Sequence, residues 1–197
     1  MYSLPAIGHF IDDRLAFQQE HRRGLYTTPS YFLATQLAEL PALCSVTLCL
    51  SVTLYSLCGL YPGRLGMFLA IAWLVLAVGF AACQLIAAAL SRGTTALAVY
   101  LCVLAFSYFF CGIFVSVAEV SAGWQWLFRT SFCFYATEAL ANSELELRPN
   151  GPAYLRALGF DTGAGVVERD VGALAAIFLV TRLLTLAVLH ARRGQRR

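Results

Sequence analysis

The chain contains no lysine: all 14 of its Lys and Arg positions are arginine. A phosphate-cradling loop of the type that ends in Gly-Lys-Ser/Thr is therefore excluded, because no ammonium is available to reach the β and γ phosphates. The uniform use of arginine reads as coding bias rather than selection for bidentate phosphate recognition. Charge is scarce altogether, at 13% of residues against about 25% in an ordinary soluble domain. The net charge of +3 gives no argument for a nucleic-acid partner. His9, His21 and His190 are too scattered for a metal site, and no Ser, His and acid set stands out. No active site is expected within these residues. The first ten residues have neither a basic start nor a long apolar core, so no cleavable signal peptide is expected.

What remains is apolar. With 59% hydrophobic residues and a mean hydropathy of +0.70, the chain reads as an integral membrane protein. Its 197 residues hold only a few spans of roughly 20 residues each, so one compact helical unit is expected. Cys44, Cys49, Cys58, Cys83, Cys102 and Cys111 fall within apolar runs and read as small packing residues. Cys133 lies outside such runs without a partner, and no disulfide framework is expected.

Residues 1–30 carry Asp12, Asp13, Arg14, Glu20, His21, Arg22 and Arg23, too many charges for hydrocarbon. Phe10, Ile11, Leu15 and Phe17 are spaced as on a weakly amphipathic helix, so this segment is expected on or beside the membrane. Spans are expected over residues 31–58, 67–90, 95–117 and 171–190, with a turn at Ser91-Arg92-Gly93 short enough to force antiparallel packing. Residues 191–197 form a basic stop. Residues 124–140 are apolar but short for a span and contain Arg129 and Glu138. They read as a re-entrant or interfacial hairpin within a non-cytoplasmic segment, residues 119–170. Arg14, Arg22, Arg23, Arg92 and the four arginines of the tail lie on one side of this arrangement, which makes both termini cytoplasmic. The expected fold is thus all-α, with about four transmembrane helices, an N-terminal amphipathic connecting helix and an extracellular re-entrant helical hairpin.

Two charges fall inside spans. Arg182 costs about 2.5–3.5 kcal/mol at mid-span, and the apolar residues around it return roughly 3–7 kcal/mol, so the helix still inserts. Glu39 and Arg182 lie equally far from the cytoplasmic ends of their spans, at a depth of about 12 Å. Two arrangements fit this placement. Either they pair and brace the first span against the last, or Arg182 snorkels while Glu39 faces a water-filled base. In the third expected span Phe106, Phe110 and Phe114 recur at helical spacing beside Gly112. That stripe fits lipid contact or packing as well as a ligand surface.

The run Glu20-His-Arg-Arg-Gly-Leu-Tyr-Thr-Thr-Pro-Ser-Tyr-Phe-Leu-Ala, followed by Leu37-Ala-Glu-Leu-Pro41, closely resembles the entry to the third transmembrane helix of G-subfamily (White/pleiotropic drug resistance type) ABC transporters. Cys111-Gly-Ile-Phe-Val-Ser resembles that family's plug motif. Trp124-Gln-Trp-Leu and Phe134-Tyr-Ala-Thr-Glu-Ala-Leu-Ala-Asn-Ser-Glu144 resemble its re-entrant hairpin, and Tyr154-Leu-Arg-Ala-Leu-Gly-Phe-Asp161 continues the match. The resemblance implies a type-2 exporter membrane domain for a lipid, sterol or drug. Its coupling segment would include Phe17, Glu20, Arg23, Gly24 and Tyr26. Its plug and substrate pathway would be formed by Phe106, Phe110, Ile113 and Phe114. The expected partners are the bilayer, a second half-transporter and a nucleotide-binding domain that carries ATP and Mg. That domain and the first two spans of the family are not expected within these residues, and neither are the family's paired extracellular cysteines. A truncated homologue that binds full-length transporters without transporting is the competing expectation.

Overall fold

The computed structural model describes residues 28–59, 62–90, 92–145, 148, 150–163 and 165–194. Among these the elements are helical: α1 (Thr28–Cys58), α2 (Leu65–Ala89), α3 (Gly93–Phe109), α4 (Trp126–Thr130), α5 (Phe132–Leu145), α6 (Gly151–Leu158) and α7 (Val166–Gly194), with short 3-10 turns between some of them. Three helices are long and apolar enough to cross a membrane: Phe32–Cys58, Leu65–Ala89 and Val166–Ala191. The apolar helix Gly93–Phe109 is shorter than these.

Helix α2 lies at the centre, packed most extensively against α7 and also against α1, α3 and α5. Its sequence explains the position. Ala77, Gly79, Ala81, Ala87 and Ala88 are buried, and small residues let helix backbones approach closely where no hydrophobic effect drives them together. Tyr100 of α3 uses one such approach, donating its hydroxyl to the Gly79 carbonyl at 3.2 Å. The outward faces of α1 (Leu33, Leu37, Leu48, Leu54, Leu57) and α7 (Leu179, Val180, Leu183, Leu184) are exposed and apolar, as lipid-facing surfaces must be. Four hydroxyls on α1 are satisfied within the helix. Thr47, Thr53 and Ser56 donate to carbonyls one turn back, and Ser45 donates to Pro41 and Ala42 beside the interior proline.

Three expectations need correction. The third apolar stretch does not run helical over residues 95–117, because α3 ends at Phe109 and the chain bends at Gly112, where φ is +89°. Hydropathy is blind to that break, since residues on both sides of it are apolar. The last helix begins at Val166, ahead of the expected residue 171, so Glu168, Arg169 and Asp170 belong to its first turns. Hydropathy stops at charges, whereas a helix does not when partners neutralise them. Of the six cysteines read as packing residues, only Cys83 and Cys111 are buried; Cys44, Cys49, Cys58 and Cys102 are exposed. All seven cysteines are free thiols.

Residues 124–140, expected as a hairpin, fall mainly in α4 and α5, which meet at Ser131. Ser131 is buried, donates to the Ser107 carbonyl of α3 at 2.8 Å, and accepts from the Phe134 amide at 3.3 Å as the N-cap of α5. One hydroxyl thus starts a helix and ties it to the end of α3. Arg64 donates to the Ser143 carbonyl in the last turn of α5 at 2.8 Å. This places the α1–α2 connection on the hairpin's side and sets a cation against the negative end of the α5 dipole.

Helix α6 ends in a Schellman motif, with Phe160 N–H on Leu155 and Gly159 N–H on Arg156, both at 3.0 Å, and Gly159 at φ +78°. A Cβ at Gly159 would meet the Ala118 backbone nitrogen at 2.5 Å, whereas one at Gly163 meets nothing within 4 Å. Gly159→Ala is expected to cost at least about 1–2 kcal/mol, read as a lowered unfolding midpoint in detergent. Gly163→Ala is expected to leave the midpoint in place, and equal midpoints for the two variants would refute this account of the turn.

Candidate functional site

The polar centre of the span bundle is Gln84, a buried amide in the otherwise apolar α2. Its Nε2 donates to Glu39 Oε2 of α1 at 2.6 Å. Its Oε1 accepts from Gln36 Nε2 at 2.9 Å and from the Arg182 guanidinium of α7. The structure therefore brings Glu39 and Arg182 onto one glutamine that stands between them, and Arg182 turns inward. The guanidinium also lies over the Phe178 ring, 5.0 Å from its centroid, a cation–π contact strengthened by desolvation. Glu39, Arg182, Gln36, Trp73, Phe80 and Phe178 line part of a cavity of about 250 Å³. An amide suits this junction because it offers a donor and two acceptor lone pairs at once, and so can face an anion and a cation without ionising.

The proposed pathway residues are split by the bend after α3. Phe106 stays on the helix and packs on Phe110 with centroids 4.8 Å apart, and Phe110 meets Phe128 of α4 edge-on at 5.5 Å. That series continues through Phe134 to Phe160. Gly112 permits it: a Cβ there would meet Phe160 Cε1 at 2.5 Å. Ile113 and Phe114 project instead from the bent segment and are exposed, at 61% and 72%. The helical stripe therefore ends at Phe110, and Phe114 belongs to a different surface. Phe17, Glu20, Arg23, Gly24 and Tyr26 lie outside the described residues.

A second polar cluster joins the hairpin to the last helix. Arg169 donates to Glu138 at 2.9 Å, to Asp161 at 2.7 Å and to Asp170 at 3.0 Å. Glu138 also accepts the Asp161 amide at 2.8 Å. Burial pushes the Glu138 carboxyl up to about 7, against the Asp161 amide, with the Asp170 carboxylate adding to the rise. Glu138, Asp161, Arg169, Phe128 and Arg129 line part of a cavity of about 530 Å³.

Residues 1–145 match the family model described as "ABC-2 type transporter". The chain belongs to that family. It is 30% identical over 203 residues to "Protein white" of Drosophila melanogaster, covering 94% of this chain and 29% of that protein. It is 29% identical over 197 residues to "ABC transporter G family member 22" of Dictyostelium discoideum, covering 94% and 32%. To "ABC transporter G family member 8" of Arabidopsis thaliana it is 28% identical over 137 residues, covering 68% and 23%. The chain thus spans under a third of the length of these curated relatives, and what it matches in them is a G-subfamily type-2 membrane domain.

Within this ABC-2 domain, reading the sequence missed Gln84 and the Arg169 cluster. Gln84 had a signal, as a polar residue in an apolar span at a depth comparable to that of Glu39. The Arg169 cluster had none, because Glu138 is far from Arg169 in sequence and all its members were read into the segment 119–170.

Gln84→Leu is expected to destabilise the protein by about 1–3 kcal/mol, since it removes the amide that Glu39 and Arg182 share. The double reversal Glu39→Arg with Arg182→Glu is expected to recover most of the stability lost by either single reversal, because the Gln84 amide can turn over to present oxygen to the new cation. Thermal unfolding in detergent measures both. A double variant no more stable than the singles would show that the two charges are not coupled through Gln84.

Proposed function

We propose that this domain forms the membrane-spanning part of an ATP-driven exporter and lines the pathway of a hydrophobic or amphipathic substrate such as a lipid, sterol or drug. The observation that carries the proposal is the ABC-2 family match over residues 1–145. It is supported by a bent, exposed Ile113-Phe114 segment where the family resemblance puts a plug. ATP and Mg would be bound by a nucleotide-binding domain, in cis or in trans, and no residue here is assigned to them.

In this reading residues 17–26 receive motion from that domain and pass it to the start of α1. The Glu39–Gln84–Arg182 junction ties α1, α2 and α7 together, so that they respond as one body. Two such domains, alike or different, would pair across the bilayer, with Phe106, Phe110, Ile113 and Phe114 toward the pathway. Both termini would face the cytoplasm, the side that the arginines mark, and residues 124–140 would form a re-entrant hairpin on the other side. The competing proposal, a homologue that binds full-length transporters without transporting, rests on the same family match.

Reconstitution of the full chain with a G-type half-transporter that carries its own nucleotide-binding domain separates the two. A working membrane domain is expected to raise the partner's ATPase rate and the export of a fluorescent amphiphile from vesicles. Stable association with lowered export would favour the non-transporting homologue. Correct insertion without association or any change in either rate would count against both.

A further inference from the structure

The Arg169 cluster has an imbalance of charge. One guanidinium, half exposed, faces three carboxylates, of which Asp161 is largely solvated while Glu138 and Asp170 are 2% and 0% exposed at their side chains. Glu138 Oε2 accepts from Arg169 Nη2 at 2.9 Å, and Asp170 Oδ1 accepts from Arg169 Nε at 3.0 Å while lying 3.0 Å from the same Nη2. The two oxygens therefore lie within about 6 Å, the range over which like charges oppose each other's ionisation. Asp170 Oδ2 is buried and has no hydrogen-bond partner among the described residues. An anionic oxygen stranded in that position carries a full desolvation penalty. A single proton supplies the missing donor and leaves one negative charge on the buried pair, opposite Arg169.

Among the described residues no other cation forms an ion pair with either carboxyl, and Arg156 of α6, which also packs on α5, is exposed. Helices α2 and α3, which pack on α5, carry no charged residue. Arg64 is spent on the Ser143 carbonyl near Glu144. Arg129 of α4 also lines the cavity, and Glu168 at the start of α7 adds a further negative charge.

We propose that Glu138 and Asp170 hold one proton between them, which makes the contact between the hairpin helix α5 and the last helix α7 a proton-sensitive clamp. The clamp is made when the proton is bound and strained when it leaves, because two buried anions then share one half-exposed cation. It joins α5 to a helix that carries Arg182 near its middle, so its state bears on how freely α5 moves against the span bundle. The direction of the pH dependence follows from Glu138. Its carboxyl, ordinarily near 4.5, sits near 7 in the fold, so the folded protein keeps a proton that the unfolded chain has released. The associated stability is fully present below the lower value and is lost as pH rises through the upper one.

The test compares the full wild-type chain with Glu138→Gln, Glu138→Ala and Asp170→Asn in detergent, recording unfolding midpoints from about pH 5 to about pH 8. Subtracting Glu138→Gln, which mimics the protonated acid, removes the contribution of the histidines. Wild type is expected to match or exceed Glu138→Gln at the acid end and to fall below it at the alkaline end, while Glu138→Ala is low throughout. A gap between wild type and Glu138→Gln that stays constant with pH would overturn the proposal. So would a Glu138→Gln variant as unstable as Glu138→Ala at the alkaline end. Infrared spectra of the folded wild type keep the proposal testable if a variant does not fold: a neutral carboxylic acid band is expected near pH 6 and is expected to be gone near pH 9. Its absence near pH 6 would show both carboxyls ionised and refute the shared proton.

Discussion

Inside an apolar slab a polar group has no water to bind, and the arrangement of this domain follows from how its few polar groups find partners within the protein. Serine and threonine on α1 close onto their own helix. Glu39 and Arg182 cannot do so, and both reach Gln84. Because Gln84 is on the central helix, meeting that demand also sets which faces of α1 and α7 turn inward. The apolar residues opposite are then left facing outward.

Small residues on α2 make this arrangement possible by allowing the neighbouring helices to come close, and the same closeness governs the hairpin. Ser131 reaches the Ser107 carbonyl and caps α5 in one step, and Phe110, Phe128, Phe134 and Phe160 stack behind it. The Gly112 bend belongs to that stack, since only a residue without Cβ leaves room for Phe160. Packing of the aromatics and exposure of Ile113 and Phe114 are therefore two results of one turn: Phe110 goes inward as the chain reverses, and the next residues are carried outward.

Much of the fold was legible because hydropathy and charge act over runs of sequence. The spans 31–58 and 67–90 correspond closely to α1 and α2. Glu39 and Arg182 stood out because an ionised group in an apolar run is costly wherever its partner lies. The break after Phe109 was not legible, because a bend between two apolar segments leaves the hydropathy profile unchanged. The start of α7 was misplaced for a related reason. Glu168, Arg169 and Asp170 look like loop until Glu138 and Asp161, more than a helical turn away in sequence, are known to be beside them.

The sequence by itself determined that the chain is a membrane domain of the ABC-2 type, since composition, span length and local motifs are properties of contiguous residues. It also singled out Glu39 and Arg182 as costly charges in apolar spans, to be met either by partners or by water. Only the tertiary structure decided what those partners are: Gln84 between the two charges, and Arg169 among three carboxylates. These choices depend on which helix faces meet, and that is settled by the packing of small residues and rings across the bundle, a matter of shape that no local stretch of sequence encodes.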